Sequence, residues 1–219
     1  MGASTGLSVQ TTANNTDKLI INDSGVVKTI TRDVLLKREG YKDLLPTGGY
    51  SPGGALDPTV KTFKAPLLLP AFAGSGANNQ ATYRFHIPHD WVIGSDFYMH
   101  THWALNEVSP TGNVKWKITW CYARGYELGD FGTEIVTTIA DADVNSTKYA
   151  HHISESEAIT PAILGENAQI DGIILACVER DTSDTNNDDA FLIEFDLHYL
   201  SDGNTTVDKN ESGSGFMKS

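Results

Sequence analysis

The chain has 219 residues, 40% of them hydrophobic and 20% charged, with a formal net charge of −12. That length suits one all-β domain, and the apolar content is enough for a core, which excludes wholesale disorder. The acidity argues against sequence-independent nucleic-acid binding, which needs a cationic face to displace counterions, and no apolar run approaches the roughly 20 residues of a membrane-spanning helix.

Residues 1–16 are small and polar, lack the basic and apolar regions of a secretory signal, and read as an arm. Lys18–Asn22 and Val26–Ile30 flank Asp23-Ser24-Gly25, which predicts a β-hairpin. Thr31 is placed to cap a short helix over 32–38, ended by Gly40. This unit, residues 1–40, holds too few apolar side chains to bury a core and is expected to dock on something else. The acidity is also uneven, since residues 1–64 sum to +2 and the remainder to −14. Residues 41–80 read as a connector, with five of the eight prolines (Pro46, Pro52, Pro58, Pro66 and Pro70). Such a stretch either crosses a partner's surface or lends one strand over Thr62–Leu69.

From residue 81 the pattern becomes period two. Tyr83, Phe85 and Ile87 alternate with Thr82, Arg84 and His86. Phe97, Met99 and Trp103 alternate with Tyr98, His100 and His102. Val114, Trp116, Ile118, Trp120 and Tyr122 alternate with polar residues. Shorter strands are predicted over 132–140 and 147–153. Residues 170–178 are apolar on both faces, as in a central strand. Phe191, Ile193, Phe195, Leu197 and Tyr199 are assigned to one face of the last strand, with Glu194, Asp196 and His198 on the other. Seven or eight strands without helical periodicity predict an all-β, jelly-roll-like β-sandwich with a small N-terminal hairpin and arm. The head spans 81–200, and 201–219 is a polar, Gly/Ser-rich tail.

Few motifs carry chemistry. Cys121 and Cys177 lie in strand-like runs and outside any Cys-x-x-Cys pair, and read as free thiols in preference to a disulfide. The Asn-x-Ser/Thr sites read as chance matches in an Asn/Thr-rich chain. There is no P-loop, dinucleotide fingerprint or Gly-x-Ser-x-Gly elbow. The acidic run Asp181 to Asp189 lacks the glycine and closing glutamate of an EF-hand and reads as a solvated loop. Trp103, Trp116 and Trp120 fall on core positions, whereas Trp91 sits in a turn and is expected to be exposed. His151 and His152 are adjacent, so they face opposite ways.

The sharpest pattern is Gly94-x5-His100-x-His102-x4-Glu107. Histidines at i and i+2 share one face of a strand and can share one metal ion. The pattern resembles the first metal-binding motif of the cupins, which implies a small jelly-roll metalloenzyme. The chain departs from it in two ways. Val114 stands where the motif has glycine, and no Pro-x-Gly turn precedes a third histidine. The core face of this strand is also claimed by Phe97, Met99 and Trp103, which turns His100 and His102 outward. They are therefore read as an interfacial pair at a subunit contact, with or without a shared metal ion, and no cofactor is expected.

Three segments, Tyr83 to Trp91, Gly94 to Trp103 and Val114 to Trp120, together resemble a recurring block of tailed-bacteriophage structural proteins. The Asn22 to Ile30 hairpin is similar to N-terminal attachment units of phage fibre and decoration proteins. The resemblance implies a non-enzymatic virion protein, a homotrimer attached by its N-terminal segment to the major capsid protein or another virion protein. It reads first as a capsid decoration protein of the cement or head-fibre type. The second reading is a tail-fibre or baseplate adaptor, for which a host-surface glycan would be the ligand.

Overall fold

The computed structural model describes residues 18–23, 26–31, 39–51, 53–74, 78–125, 129–141, 144, 147–164 and 170–203. The arm, the short helix over 32–38 and the tail beyond 203 lie outside them. The strands in chain order are β1 (Lys18–Asp23), β2 (Val26–Thr31), β3 (Gly40–Leu44), β4 (Gly48–Tyr50), β5 (Thr59–Lys64), β6 (Leu67–Phe72) and β7 (Gln80–His86). They continue as β8 (Phe97–Leu105), β9 (Val114–Ala123), β10 (Ile135–Asp141), β11 (His152–Glu155), β12 (Ile173–Arg180) and β13 (Ala190–Ser201). Two 3-10 turns are the only helical elements among the described residues.

All strand pairing is antiparallel. One sheet runs β10-β9-β12-β7-β4. The other runs β11-β8-β13, and the far edge of β13 is shared by β6, which carries β5, and by β3. The two sheets make the expected β-sandwich, and β1 and β2 pair as a separate hairpin.

The period-two pattern accounts for the core. Val114, Trp116, Ile118 and Trp120 of β9, with Ile174, Ala176 and Val178 of β12, are buried from one sheet. Phe97, Met99 and Trp103 of β8, with Phe195 and Leu197 of β13, are buried from the other. The two faces interlock through aromatic pairs, Phe72 with Trp116 at 5.3 Å and Phe85 with Phe195 at 5.3 Å between ring centroids. The polar tips of two core rings find partners at the sheet edges. Trp103 Nε1 donates to Ser154 Oγ at 2.9 Å, and Trp120 Nε1 donates to Thr137 Oγ1 at 3.0 Å.

Four expectations need correction. Residues 41–80 are not a bare connector, because β3 to β6 come from them and join both sheets. Trp91 is 1% exposed. Its turn is tied to the end of β13, with Val92 N–H donating to Leu200 O at 2.8 Å, and its ring stacks on Phe97 at 4.7 Å. Ile193 is exposed, because β13 is bulged between Leu192 and Glu194. The bulge shifts the alternation by one, so Leu192 takes the core position and Phe191 packs outside it against Phe63.

The acidic loop after β12 is the fourth. Asp184 and Asn186 are buried with Arg180. Arg180 Nε donates to Asp184 Oδ2 at 2.7 Å, Nη2 donates to Asn186 O at 2.7 Å, and Nη1 donates to the carbonyl of Asp188. A guanidinium with five donors is filled by the loop that wraps it. Cys121 and Cys177 are free thiols as expected, half-buried, and burial raises the pKa of both.

Candidate functional site

The outer face of the β11-β8-β13-β3 sheet gathers the ionisable residues. The register sets Glu155 of β11 and Asp196 of β13 on either side of His100 of β8. One step along, His198 of β13 lies opposite Asp43 of β3. Two residues the other way, His102 lies opposite Ile153 and Glu194. Because each of these side chains sits two residues from the next on its own strand, all project away from the core.

The side chains converge. One ligand atom each from His100, His102 and Asp196 lie within 4.8 Å of one another. The same holds for His100, Glu155 and His198, and for Asp43, Asp196 and His198. His102 Nε2 is 3.4 Å from Asp196 Oδ1, and His198 Nε2 is 3.6 Å from Asp196 Oδ2. His198 Nε2 also meets Asp43 Oδ1 at 2.6 Å, and His100 Nε2 meets Glu155 Oε2. The rings of His100 and His198 lie 3.5 Å apart between centroids. His151, just before β11, stacks on His102 and brings its Nε2 to 3.0 Å from His102 Nδ1.

Asp196 is the centre of the group. It is 2% exposed and His100 is 5% exposed, whereas His102 and His198 are half-buried and Asp43, Glu155 and His151 reach solvent. Asp196 Oδ1 is within ion-pair reach of His102 but out of hydrogen-bond geometry, so it is a buried acceptor without a hydrogen-bond partner. Loss of solvent pushes its carboxyl above the ordinary aspartate range, against the pull of the His102, His100 and His198 imidazoles. Imidazole nitrogens and carboxylate oxygens converging around one point form a donor set for a divalent cation of borderline softness.

The structure sets His100 and His102 outward, as their alternation requires, beside Glu155, Asp196 and His151. It does not assemble the cupin motif. Glu107 lies beyond the end of β8, exposed, with Oε1 accepting the Val108 N–H at 2.8 Å. It lines an open hollow of about 320 Å³ beside Lys61, Asn106 and Asp189. The space between the sheets, where a cupin holds its metal, is filled here by Met99, Trp103 and Trp116.

Four members of the cluster carry no motif in the sequence. Asp196 and His198 were legible as polar alternates on the last strand, but nothing in the sequence ties β13 beside β8. Glu155 lies just past the strand predicted over 147–153. Asp43 was hidden in the stretch read as a connector. His152, the other half of the His151–His152 pair, faces inward and stacks on Trp103 at 4.3 Å.

No family model matches the chain, and no curated protein matches it. Among solved structures, it is similar to the carbohydrate-binding module CBM36 in complex with calcium and xylotriose, at 12% identity and a TM-score of 0.34, over 73% of this chain and 99% of that one. It is similar to the xylan-binding module CBM15 at 10% identity and a TM-score of 0.37, over 74% and 97%. A chain in the structure of the infectious bursal disease virus Gx strain matches at 13% identity and a TM-score of 0.34, over 85% of this chain and 37% of that one. Scores of this size transfer neither ligand nor partner to this protein.

Proposed function

We propose that this chain is an accessory structural protein of a tailed-bacteriophage virion, a capsid decoration protein of the cement or head-fibre type. In this reading the N-terminal segment attaches to the particle and the sandwich is displayed outside. The observation that carries it is the division of the chain. The β1–β2 hairpin pairs with neither sheet, and behind it stands a sandwich whose interior is closed by aromatic packing. A two-stranded hairpin is marginal in water unless it packs on something larger, so an attachment surface is the natural place for it. All four tryptophans are buried, so a sugar-stacking platform would fall to smaller exposed rings such as Tyr41 and Phe131.

The same marginal hairpin supports association into a homotrimer. Two measurements test the reading. Quantitative gels of purified particles should show the chain at tens to hundreds of copies against the major capsid protein. A handful of copies would move it to the tail, and absence from the particle would end the virion reading. Light scattering on the isolated chain should give three times the chain mass, and a monomer at micromolar concentration, with no trimer on particles, would remove the trimer.

A further inference from the structure

We propose that the outer face of the β8–β13 sheet is an intrachain site for one divalent transition-metal ion, held by His100, His102 and Asp196. This proposal rests on the geometry of one sheet face and is independent of the virion reading.

Three observations converge on it. First, the ligand atoms of the three residues already lie within 4.8 Å of one another. Metal–nitrogen and metal–oxygen bonds of about 2.0–2.2 Å bring donors around one ion to roughly 3–3.5 Å apart, so modest rotamer adjustment closes the set. Second, Asp196 Oδ1 is a buried lone pair with no hydrogen-bond partner, aimed at the imidazole of His102. A carboxylate that is 2% exposed is costly without a compensating charge, and a dication supplies one. Third, the cluster contains outer groups of the kind that orient metal ligands. With Nε2 of His102 directed at the ion, Nδ1–H can donate to His151 Nε2, 3.0 Å away, which fixes the tautomer and the ring.

The remaining members surround this set. His198 packs on the His100 ring with its Nε2 3.6 Å from Asp196 Oδ2, and Glu155 stands at His100. Either can swing in as a fourth ligand. A nitrogen-rich donor set selects zinc, cobalt or nickel over calcium or magnesium, which favour all-oxygen coordination. His102 is half-buried and the rim residues His151 and Glu155 are exposed, so the entry path for an ion runs past them and not through the core.

The test is titration of the untagged full chain with cobalt(II) chloride, followed by visible absorption, and with zinc chloride, followed by calorimetry. Expected is saturable binding of one ion per chain, with cobalt d–d bands showing nitrogen and oxygen coordination. Asp196→Asn and His102→Gln should each weaken binding tenfold or more. His89→Gln, in the separate His86–His89–Asp171 group, should leave it unchanged. His102 is half-buried, so H102Q carries the test if D196N fails to fold by circular dichroism. No saturable binding at tens of micromolar metal, or binding indifferent to H102Q, would overturn the site. A stoichiometry of one ion per three chains would overturn its intrachain character and assign the pair to a subunit contact.

Discussion

Asp90 shows how one carboxylate can tie three segments. It sits in the turn before Trp91 and accepts from Lys42 Nζ of β3 at 2.5 Å, from Ser201 Oγ at 2.6 Å and from Tyr199 OH at 3.0 Å. Burial pushes its carboxyl up, but the three hydrogen bonds and the Lys42 charge outweigh that and hold it below the ordinary aspartate value. A depressed carboxyl stabilises the fold above its unfolded pKa, and that stability is lost as pH falls through the folded value. Asp90→Asn should therefore cost about 1.5–3 kcal/mol at pH 7, a magnitude typical of hydrogen bonds to a charged group. The gap to the parent should narrow below about pH 4. Urea unfolding at pH 7 and pH 3 checks this, and an equal gap at both would mean that the charge on Asp90 contributes nothing. Alternation alone put His100 and His102 outward. It could not show that Asp90 and Trp91 close the end of the core, because a Pro-His-Asp-Trp turn looks solvent-facing until its partners are known.

At the scale of elements, strands with a clear alternation or a flanking turn signal are legible, and β3 to β6 are not. β8, β9 and β13 each carry several core residues at period two, which is a signal that survives without context. β3 to β6 are three to six residues long, and β4 and β5 are edge strands, rich in glycine, lysine and threonine. Their pairing is fixed by the strands beside them and not by their own pattern. The acidic loop after β12 was misread for a similar reason, because its organiser, Arg180, precedes it at the end of a strand. Arg180 and Asp184 are both buried, and Asp184 Oδ2 also accepts the Lys115 N–H at 3.1 Å. Gly112 lets the facing loop approach, with φ of +83° and space that a Cβ would lose to Thr185 O at 2.6 Å. Arg180→Met should leave Asp184 as a buried, unpaired charge and destabilise the chain by about 3–5 kcal/mol. Arg180→Lys should recover only part of that, since an ammonium cannot fill three carbonyl and carboxylate partners in a plane. Denaturation midpoints of the two variants decide it, and a loss below 1 kcal/mol for the methionine variant would mean that the loop is solvated after all.

For the whole molecule, the division between the hairpin and the sandwich makes a prediction that the strand pairing sharpens. From sequence alone, a cut at residue 40 separates arm from head. That cut falls inside β3 and removes Gly40, which pairs with Ser201, so it would trim a strand of the sandwich as well as remove the arm. Removing residues 1–38 instead leaves every strand of both sheets intact. The removed segment carries five basic and three acidic residues, so the net charge goes from −12 to −14 and self-repulsion favours solubility of the truncated protein. It should unfold cooperatively at nearly the parent's temperature and keep the buried-tryptophan fluorescence, because all four tryptophans lie in the sandwich. It should also fail to sediment with particles that the full chain decorates. Retained decoration would place the attachment surface on the sandwich itself, and a large fall in melting temperature would mean that the hairpin packs on the head and is not an attachment device.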